Sequence, residues 1–360
     1  MSSPGHVYSS FKHGVKELPD VSIDAYNLEN RDADGFVGDR ASGRAFRAIF
    51  DELRSKVAKV GDDPFGDTPT EALKKKTLDK LLLSGDPLAA GIVHGAVEEF
   101  GQKLAGVTRH FLRLKTWRGV KRISIGGGFR QSRIGELAIG RAAVILKSEK
   151  IKVDLVPLRY HPDQAALIGC TRLVPAWLFE GFDGLLAVDV GGSNIRCGVV
   201  VLHRDQGEDF SAAKVEAFEL WRYAEQDPKR EGIVDRLVAM LKRLLRKAKK
   251  KNLRLAPFVG VGCPGLIQES GTIKRGVQNL PGNWSSSRFN LPVVLKEHIP
   301  TIDERETTVV MHNDAVVQGL SEVPRMRDVP KWGVLTIGTG LGNAAFTNRK
   351  PAGEKIQTSK

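Results

Sequence analysis

The stretch that most constrains this chain is residues 185–196, LLAVDVGGSNIR, near its middle. An unbroken apolar run leads to a carboxylate at Asp189, then a corner of Gly191 and Gly192, a hydroxyl at Ser193 and a guanidinium at Arg196. A run without alternation predicts a strand buried on both faces. The glycines let the backbone turn through unusual dihedrals and approach a ligand closely. The N–H groups exposed there, with Ser193, can form a concave anion site. A carboxylate at that corner, Asp189, can hold hydrated Mg²⁺ beside phosphates. A plain β-hairpin with an Asx-type turn uses the same residues, so this stretch alone leaves turn and phosphate loop open.

The 360 residues are enough for two cores, and 41% hydrophobic with 27% charged residues is ordinary globular composition. Cys170, Cys197 and Cys263 lie far apart, with no CxxC pair. That argues against a disulfide framework or a local zinc site and for a reducing compartment. The first residues, MSSPGHVYSSFKHG, have no apolar signal core, and no run approaches the length of a membrane span. The cytoplasm is the expected location, with no membrane partner. The net charge of +13 is densest at residues 242–251, KRLLRKAKKK, whose leucines continue a helical apolar stripe. We read that run as a solvated helix face. An anionic partner is the alternative, but no nucleic-acid-binding module is recognisable, so nucleic acid is not expected.

In chain order, residues 1–35 read as polar loop or strand-and-loop. Ala45, Ile49, Leu53 and Val57 have helical spacing. A second helix is expected from Thr70 to about Leu83, capped by Thr68 or Thr70. Ser84, Gly85 and Asp86 then break the chain before a helix with Pro87 at its first position, running to about Leu114. A strand at 120–125 ends in Gly126, Gly127 and Gly128; a helix at 135–148, a strand at 152–156 and the segment 163–170 (DQAALIGC) follow. Strands are expected at 184–190, 195–203 and 213–220, then the basic helix, a strand at 258–262, a helix at 291–298 and strands at 308–311 and 333–337. The tail, 350–360, reads as frayed.

Four further motifs carry chemistry. Residues 260–265, GVGCPG, match GxGxxG formally, but Pro264 and the lack of a following acidic residue argue for a rigid pocket loop rather than a dinucleotide fingerprint. Asn313 and Asp314 follow an apolar strand. They suit a helix N-cap, and equally a carboxylate placed to accept a proton from a substrate hydroxyl. Gly338, Thr339 and Gly340 form a second candidate phosphate cradle. Gly126, Gly127 and Gly128 offer a bare backbone surface for a flat ring, or a simple strand-to-helix turn.

Taken together, these corners resemble the sugar kinases of the ROK family (repressor, open reading frame, kinase), within the actin–hexokinase–Hsp70 ATPase superfamily. DVGGSNIR resembles its first phosphate motif, GVGCPGLIQESGTIKRGVQNLPGNW its glucokinase-type sugar loop and HNDAVVQGLSE its ENDA segment. LTIGTGLGNAAF resembles the second phosphate motif, SIGGG the adenosine region and DQAALIGC the closing helix. The order departs from the family, because the adenosine region precedes the phosphate motifs. A circular permutation accounts for this, with residues 1–170 standing for the family's C-terminal part.

The resemblance implies an α/β, two-lobed actin-like ATPase (ribonuclease H-like) fold, circularly permuted, with a mixed sheet in each lobe and a central cleft. Residues 1–165 with 307–360 would form the larger lobe and 166–306 the smaller. It implies ATP- and Mg²⁺-dependent phosphorylation of a hexose hydroxyl, glucose to glucose 6-phosphate. Asp314 would be the catalytic base; Asn279, Asn313 and Asp314 would bind the sugar. Gly191, Gly192, Ser193, Gly338, Thr339, Gly340, Gly126, Gly127 and Gly128 would bind ATP, and Asp189 would hold Mg²⁺ through water. Polyphosphate as donor and a non-catalytic sugar-binding protein are the alternatives, and a homodimer, including a domain-swapped one, stays open. The family's Glu/His sugar-binding pair has no clear counterpart, with Asp39, His13 and Glu354 the candidates. Its cysteine-rich zinc motif has none, so no zinc is expected. Elemental analysis of protein prepared in metal-free buffer checks this, and stoichiometric zinc would overturn it.

Overall fold

A computed structural model describes residues 11–349 other than 34, 84, 208, 224, 225 and 227. Glu354, the tail 350–360, the first ten residues and Ser84 of the expected helix break lie outside the described residues. The chain divides into two units. One contains residues up to Asn27, Asp163–Lys331 and the chain from Phe346 on; the other contains Leu28–Pro162 and Trp332–Ala345. The strand Thr308–Asn313 belongs to the first unit, where it pairs in parallel register with Leu255–Cys263. The mixed α/β character expected from the sequence is what the chain has.

In the first unit a five-stranded mixed sheet runs in the order Thr308–Asn313, Leu255–Cys263, Gly184–Val190, Asn194–Val201, Lys214–Arg222. The first three strands are parallel and the last two antiparallel. Every residue of Gly184–Val190 and Leu255–Cys263 is buried, as their continuous apolar runs require. The helix Arg230–Lys250 lays Ile233, Leu237, Leu241, Leu244 and Ala248 into the core. Each fully buried leucine contributes roughly 1.5–3 kcal/mol of gross burial energy. The helix is basic but not wholly unpaired: Arg243 and Lys247 reach Glu219, and Lys251 reaches Glu216, on the strand Lys214–Arg222. The short helix Pro162–Gly169 packs tightly, with Leu167 against Gly198 and Cys170, just beyond its end, against Gly260. A Cβ at Gly260 would stand 2.5 Å from the Cys170 Cβ, so only glycine admits this approach.

The second unit has the strands Leu341–Asn348 (up to Ala345), Lys331–Ile337 (from Trp332), Arg122–Gly126 and Asp154–Pro157 in that order. The last three are parallel. Helices Gly43–Ala58, Pro87–Arg113 and Arg133–Ser148 close its core around Phe46, Phe50, Phe100 and Phe129. The long helix begins as expected, with Pro87 in its first turn and Asp86 accepting from the Ala89 N–H at 2.7 Å. The helix expected from Thr70 breaks into a 3-10 turn, Thr70–Ala72, and a helix Lys75–Leu81 without a side-chain cap. Thr70 is instead buried, its hydroxyl joined to Asp51 and to the Arg54 guanidinium. The polar N-terminal stretch yields a strand, Val21–Tyr26, in the first unit. Among the described residues no helix is long and apolar enough to cross a membrane.

Candidate active site

Asp189 sits one residue before the end of its strand, 2% exposed, directly opposite Gly262 on one side and Arg196 on the other. Arg196 is held between two carboxylates. Its Nη1 donates to Asp189 Oδ2 at 3.1 Å and its Nε to Asp163 Oδ1 at 2.6 Å. His312 is the parallel-strand partner of Gly262, and Asn313 of Cys263. Asp314, the next residue, therefore leaves the same C-terminal sheet edge as Asp189. A Cβ built on Gly262 would lie 3.6 Å from Asp189 Oδ1 and 3.6 Å from the Asp314 Cα. Asp189 and Asp314 thus flank one glycine at the C-terminal ends of parallel strands, where α/β sheets commonly place ligands.

Their electrostatics follow from this placement. Burial, and then the charge of Asp189, pushes the Asp314 carboxyl up to about 7. Burial raises Asp189 as well, against the lowering pull of the Arg196 guanidinium. Asp314 opens the helix Asp314–Leu320, and its Oδ1 accepts from the Ala315 N–H at 2.9 Å. Asn313 is the cap of that helix. Its Oδ1 accepts from the Ala315 and Val316 N–H groups, and its Nδ2 donates to the Gly265 carbonyl at 3.0 Å. The Asn313 side chain also hydrogen-bonds the Asp314 carboxyl, which pulls that group down against burial.

Gly191 and Gly192 do form the turn of a hairpin between Gly184–Val190 and Asn194–Val201. Contrary to the sequence expectation, neither has a positive φ. What favours a small residue at Gly192 is proximity: a Cβ there would stand 3.1 Å from the Asn279 Cβ. The structure therefore brings exposed Asn279 onto this corner. Tyr223 fastens the turn, donating its hydroxyl to the Gly191 carbonyl and its N–H to the Ser193 carbonyl at 3.1 Å. The loop after Cys263 does not start a helix, which removes the dinucleotide reading; Gly265 has φ +101° there.

His13 lies in the same unit. Its Nδ1 accepts from the Met311 N–H at 3.1 Å, which puts the ring proton on Nε2, and burial lowers its pKa to about 4. A Cβ on Gly271 would lie 2.8 Å from its Cδ2, so His13 packs on the loop expected to bind sugar. Asp39 is exposed in the second unit; its carbonyl accepts from the Ser42 hydroxyl at 2.8 Å.

Within the second unit the other two glycine corners meet. Gly127, at φ +83°, would place a Cβ 2.4 Å from the Ile337 carbonyl oxygen, and Gly126 pairs with Thr336. The Gly338 N–H donates to the Gly340 carbonyl at 2.9 Å, and the Gly338 carbonyl accepts from the Gly43 N–H at 2.8 Å. Arg44 Nε donates to the Thr339 carbonyl at 3.1 Å, and Lys75 Nζ to the Gly128 carbonyl. Asp163, Tyr223, Gly262, Arg44 and Lys75 were not identifiable as site residues from the sequence. Asp163 carried a signal as a member of the DQAALIGC segment and Gly262 as a member of GVGCPG, neither with a role of its own.

Comparison with solved structures gives partial overlaps. A ROK hexokinase from Thermus thermophilus is 20% identical over 36% of this chain and 35% of its own, with a TM-score of 0.27. A Cytophaga hutchinsonii protein assigned as a sugar kinase is 19% identical over 48% of this chain and 52% of its own, with a TM-score of 0.34. A Listeria monocytogenes protein assigned as an N-acetylmannosamine kinase is 23% identical over 46% and 47%, with a TM-score of 0.33. The chain thus spans between about a third and a half of the length of these structures. No protein-family model and no curated protein match the chain. Overlaps this small assign neither family nor activity.

Proposed function

We propose that this protein is a ROK-type sugar kinase that transfers a phosphoryl group from ATP to a hexose hydroxyl, glucose being the expected acceptor, on a circularly permuted fold. The observation that carries the reading is the pair Asp189 and Asp314 flanking Gly262 at one strand edge, with Asp314 near pKa 7. A general base works best with a pKa close to the operating pH, and Asp314 meets that condition. Its carboxylate accepts the hydroxyl proton as the sugar oxygen attacks the γ-phosphorus. Asn279 orients the acceptor, with His13 Nε2–H as a further donor, and Asn313 holds the Asp314 carboxyl in place. Such a polar array rejects sugars that lack the matching hydroxyls.

Asp189 suits a hydrated divalent cation: one oxygen is tied to Arg196 while Oδ1 faces glycine rather than a side chain. When bound, Mg²⁺ neutralises charge on the transferring phosphates. Among the groups assigned to the nucleotide, Gly191, Gly192 and Ser193 form one corner, and Gly126, Gly127, Gly128, Gly338, Thr339 and Gly340 gather where Gly127 abuts Ile337. The pairing of 332–337 with 122–126 supports the permutation, since early and late segments build one sheet. The direct test is glucose phosphorylation with ATP, with polyphosphate and with no donor. ATP-dependent glucose 6-phosphate supports the proposal; polyphosphate-only activity changes the donor; sugar binding without turnover overturns it.

Gly262 offers a second check. A methyl there meets the Val317 Cβ at 3.5 Å, an ordinary contact, so Gly262→Ala is expected to fold. The methyl would nevertheless stand 3.6 Å from Asp189 Oδ1 and fill the space beside that oxygen, displacing whatever binds it. Displacement of about 1 Å in a reacting geometry costs on the order of a hundredfold. We expect kcat to fall by about that factor with little change in melting temperature; unchanged kcat would remove the carboxylate pair from the chemistry.

A further inference from the structure

The second unit gathers cations where its glycine corners meet. Arg44 Nε caps the Thr339 carbonyl at 3.1 Å, and Lys75 Nζ caps the Gly128 carbonyl. Gly127, between them, abuts Ile337, so these two attachments belong to one continuous backbone surface. Arg47 lies three residues beyond Arg44 on the helix Gly43–Ala58, close enough to Lys75 to lower its pKa. Burial of the lysine tip is the larger cause of that lowering, although the side chain as a whole is exposed. Arg130, in the turn after Gly128, has a buried Nε that makes no hydrogen bond. Among the described residues Arg44, Arg47 and Lys75 have no ion pair. The nearby carboxylate, Asp79, is committed to the Ile134 N–H at 3.0 Å.

Arg44 and Lys75 are held at carbonyl groups, but Arg47 stands close enough to Lys75 to repel it, with Asp79 the carboxylate acting on that lysine, and an anion shared by the cations would relieve the repulsion. Fold stability does not explain their position, because the corners are already closed by backbone hydrogen bonds and packing. We propose that Arg44, Arg47 and Lys75 form an anion-binding rim on these corners and that it takes a phosphoryl group of the donor. The rim rests on the phosphoryl-transfer reading above and makes these three side chains determinants of donor affinity. Arginine and lysine suit the task differently: the guanidinium groups can grip two phosphate oxygens at once, and the ammonium acts as a point charge.

The test combines kinetics with binding of inorganic tripolyphosphate measured calorimetrically on the full chain. In Arg47→Gln, Lys75→Gln and the double variant, KM for the donor is expected to rise about ten- to a hundredfold, the scale of a lost charged hydrogen bond. KM for the sugar should stay within about twofold, a split that general loosening of the fold does not produce. Lys75→Arg keeps the charge and should restore most of the donor affinity. Tripolyphosphate should bind the wild type and lose affinity by a similar factor in the double variant. If the wild type transfers no phosphate but tripolyphosphate binding still depends on Arg47 and Lys75, the rim stands and the kinase reading falls. Donor KM and tripolyphosphate affinity unchanged in a folded double variant would overturn the rim.

Discussion

Asp314→Asn is expected to lower kcat for phosphoryl transfer by about a hundred- to ten-thousandfold, the usual worth of a general base. Sugar affinity should remain near that of the wild type. The substitution is nearly isosteric, and its amide oxygen can still accept from the Ala315 N–H, so the start of the helix survives. The wild-type rate should rise with pH through about 7, as the carboxyl loses its proton and becomes able to take one. Below that pH the base is already protonated and transfer slows; the variant's residual rate should lack this limb. The stability sign runs the other way. Because the folded-state pKa is raised, whatever stability the protonated carboxyl brings at acid pH is lost as pH rises through about 7. At pH 8 the variant should therefore melt no lower than the wild type. Near-normal turnover in Asp314→Asn would reduce Asp314 to a helix-start residue.

The second large effect concerns chain order. A fragment of residues 180–360 is expected to be insoluble or unfolded, and coexpression with residues 1–179 to rescue it. In the intact chain Lys331–Ile337 pairs in register with Arg122–Gly126, and a Cβ built on Gly333 would stand 2.5 Å from the Trp117 ring. The fragment loses both, leaving Trp332, Val334, Leu335 and Ile337 without cover. It also loses Cys170 from above Gly260. An uncovered sheet face of that kind drives aggregation in a soluble chain. Cooperative unfolding of the isolated fragment, read by calorimetry, would overturn the permutation and with it the adenosine role of Gly126, Gly127 and Gly128.

Much of the site could be read from local sequence because strand ends announce themselves. A buried apolar run that stops at a carboxylate and glycines marked the ends near Asp189 and Asp314, and the paired strands bear those ends out. What was illegible depends on partners distant in the chain. Nothing near Tyr223 indicates that its hydroxyl reaches Gly191, 32 residues earlier. Gly262 reads as part of a GxGxxG match, and only parallel register reveals it as the spacer between Asp189 and Asp314. Lys75 belongs to a stretch where Thr70 predicted a cap, yet tertiary burial of Thr70 by Asp51 and Arg54 outweighed that local preference. Gly191 and Gly192 show the same limit. Their small size was legible, but its cause is crowding rather than backbone dihedrals: Asn279 approaches Gly192, and the Asn194 carbonyl and Arg196 guanidinium approach Gly191.

The hold of Tyr223 on the Gly191–Ser193 turn has a thermodynamic consequence. A glycine-rich loop ordinarily surrenders backbone freedom when its ligand arrives, and that entropy is subtracted from affinity. Here one side chain grips one carbonyl and one main-chain amide grips another, so the loop is already ordered when the domain folds. Association then keeps more of its gross interaction energy. A phenylalanine at this position should leave the ring packed but release the Gly191 carbonyl, making the heat of donor binding more favourable while its entropy worsens.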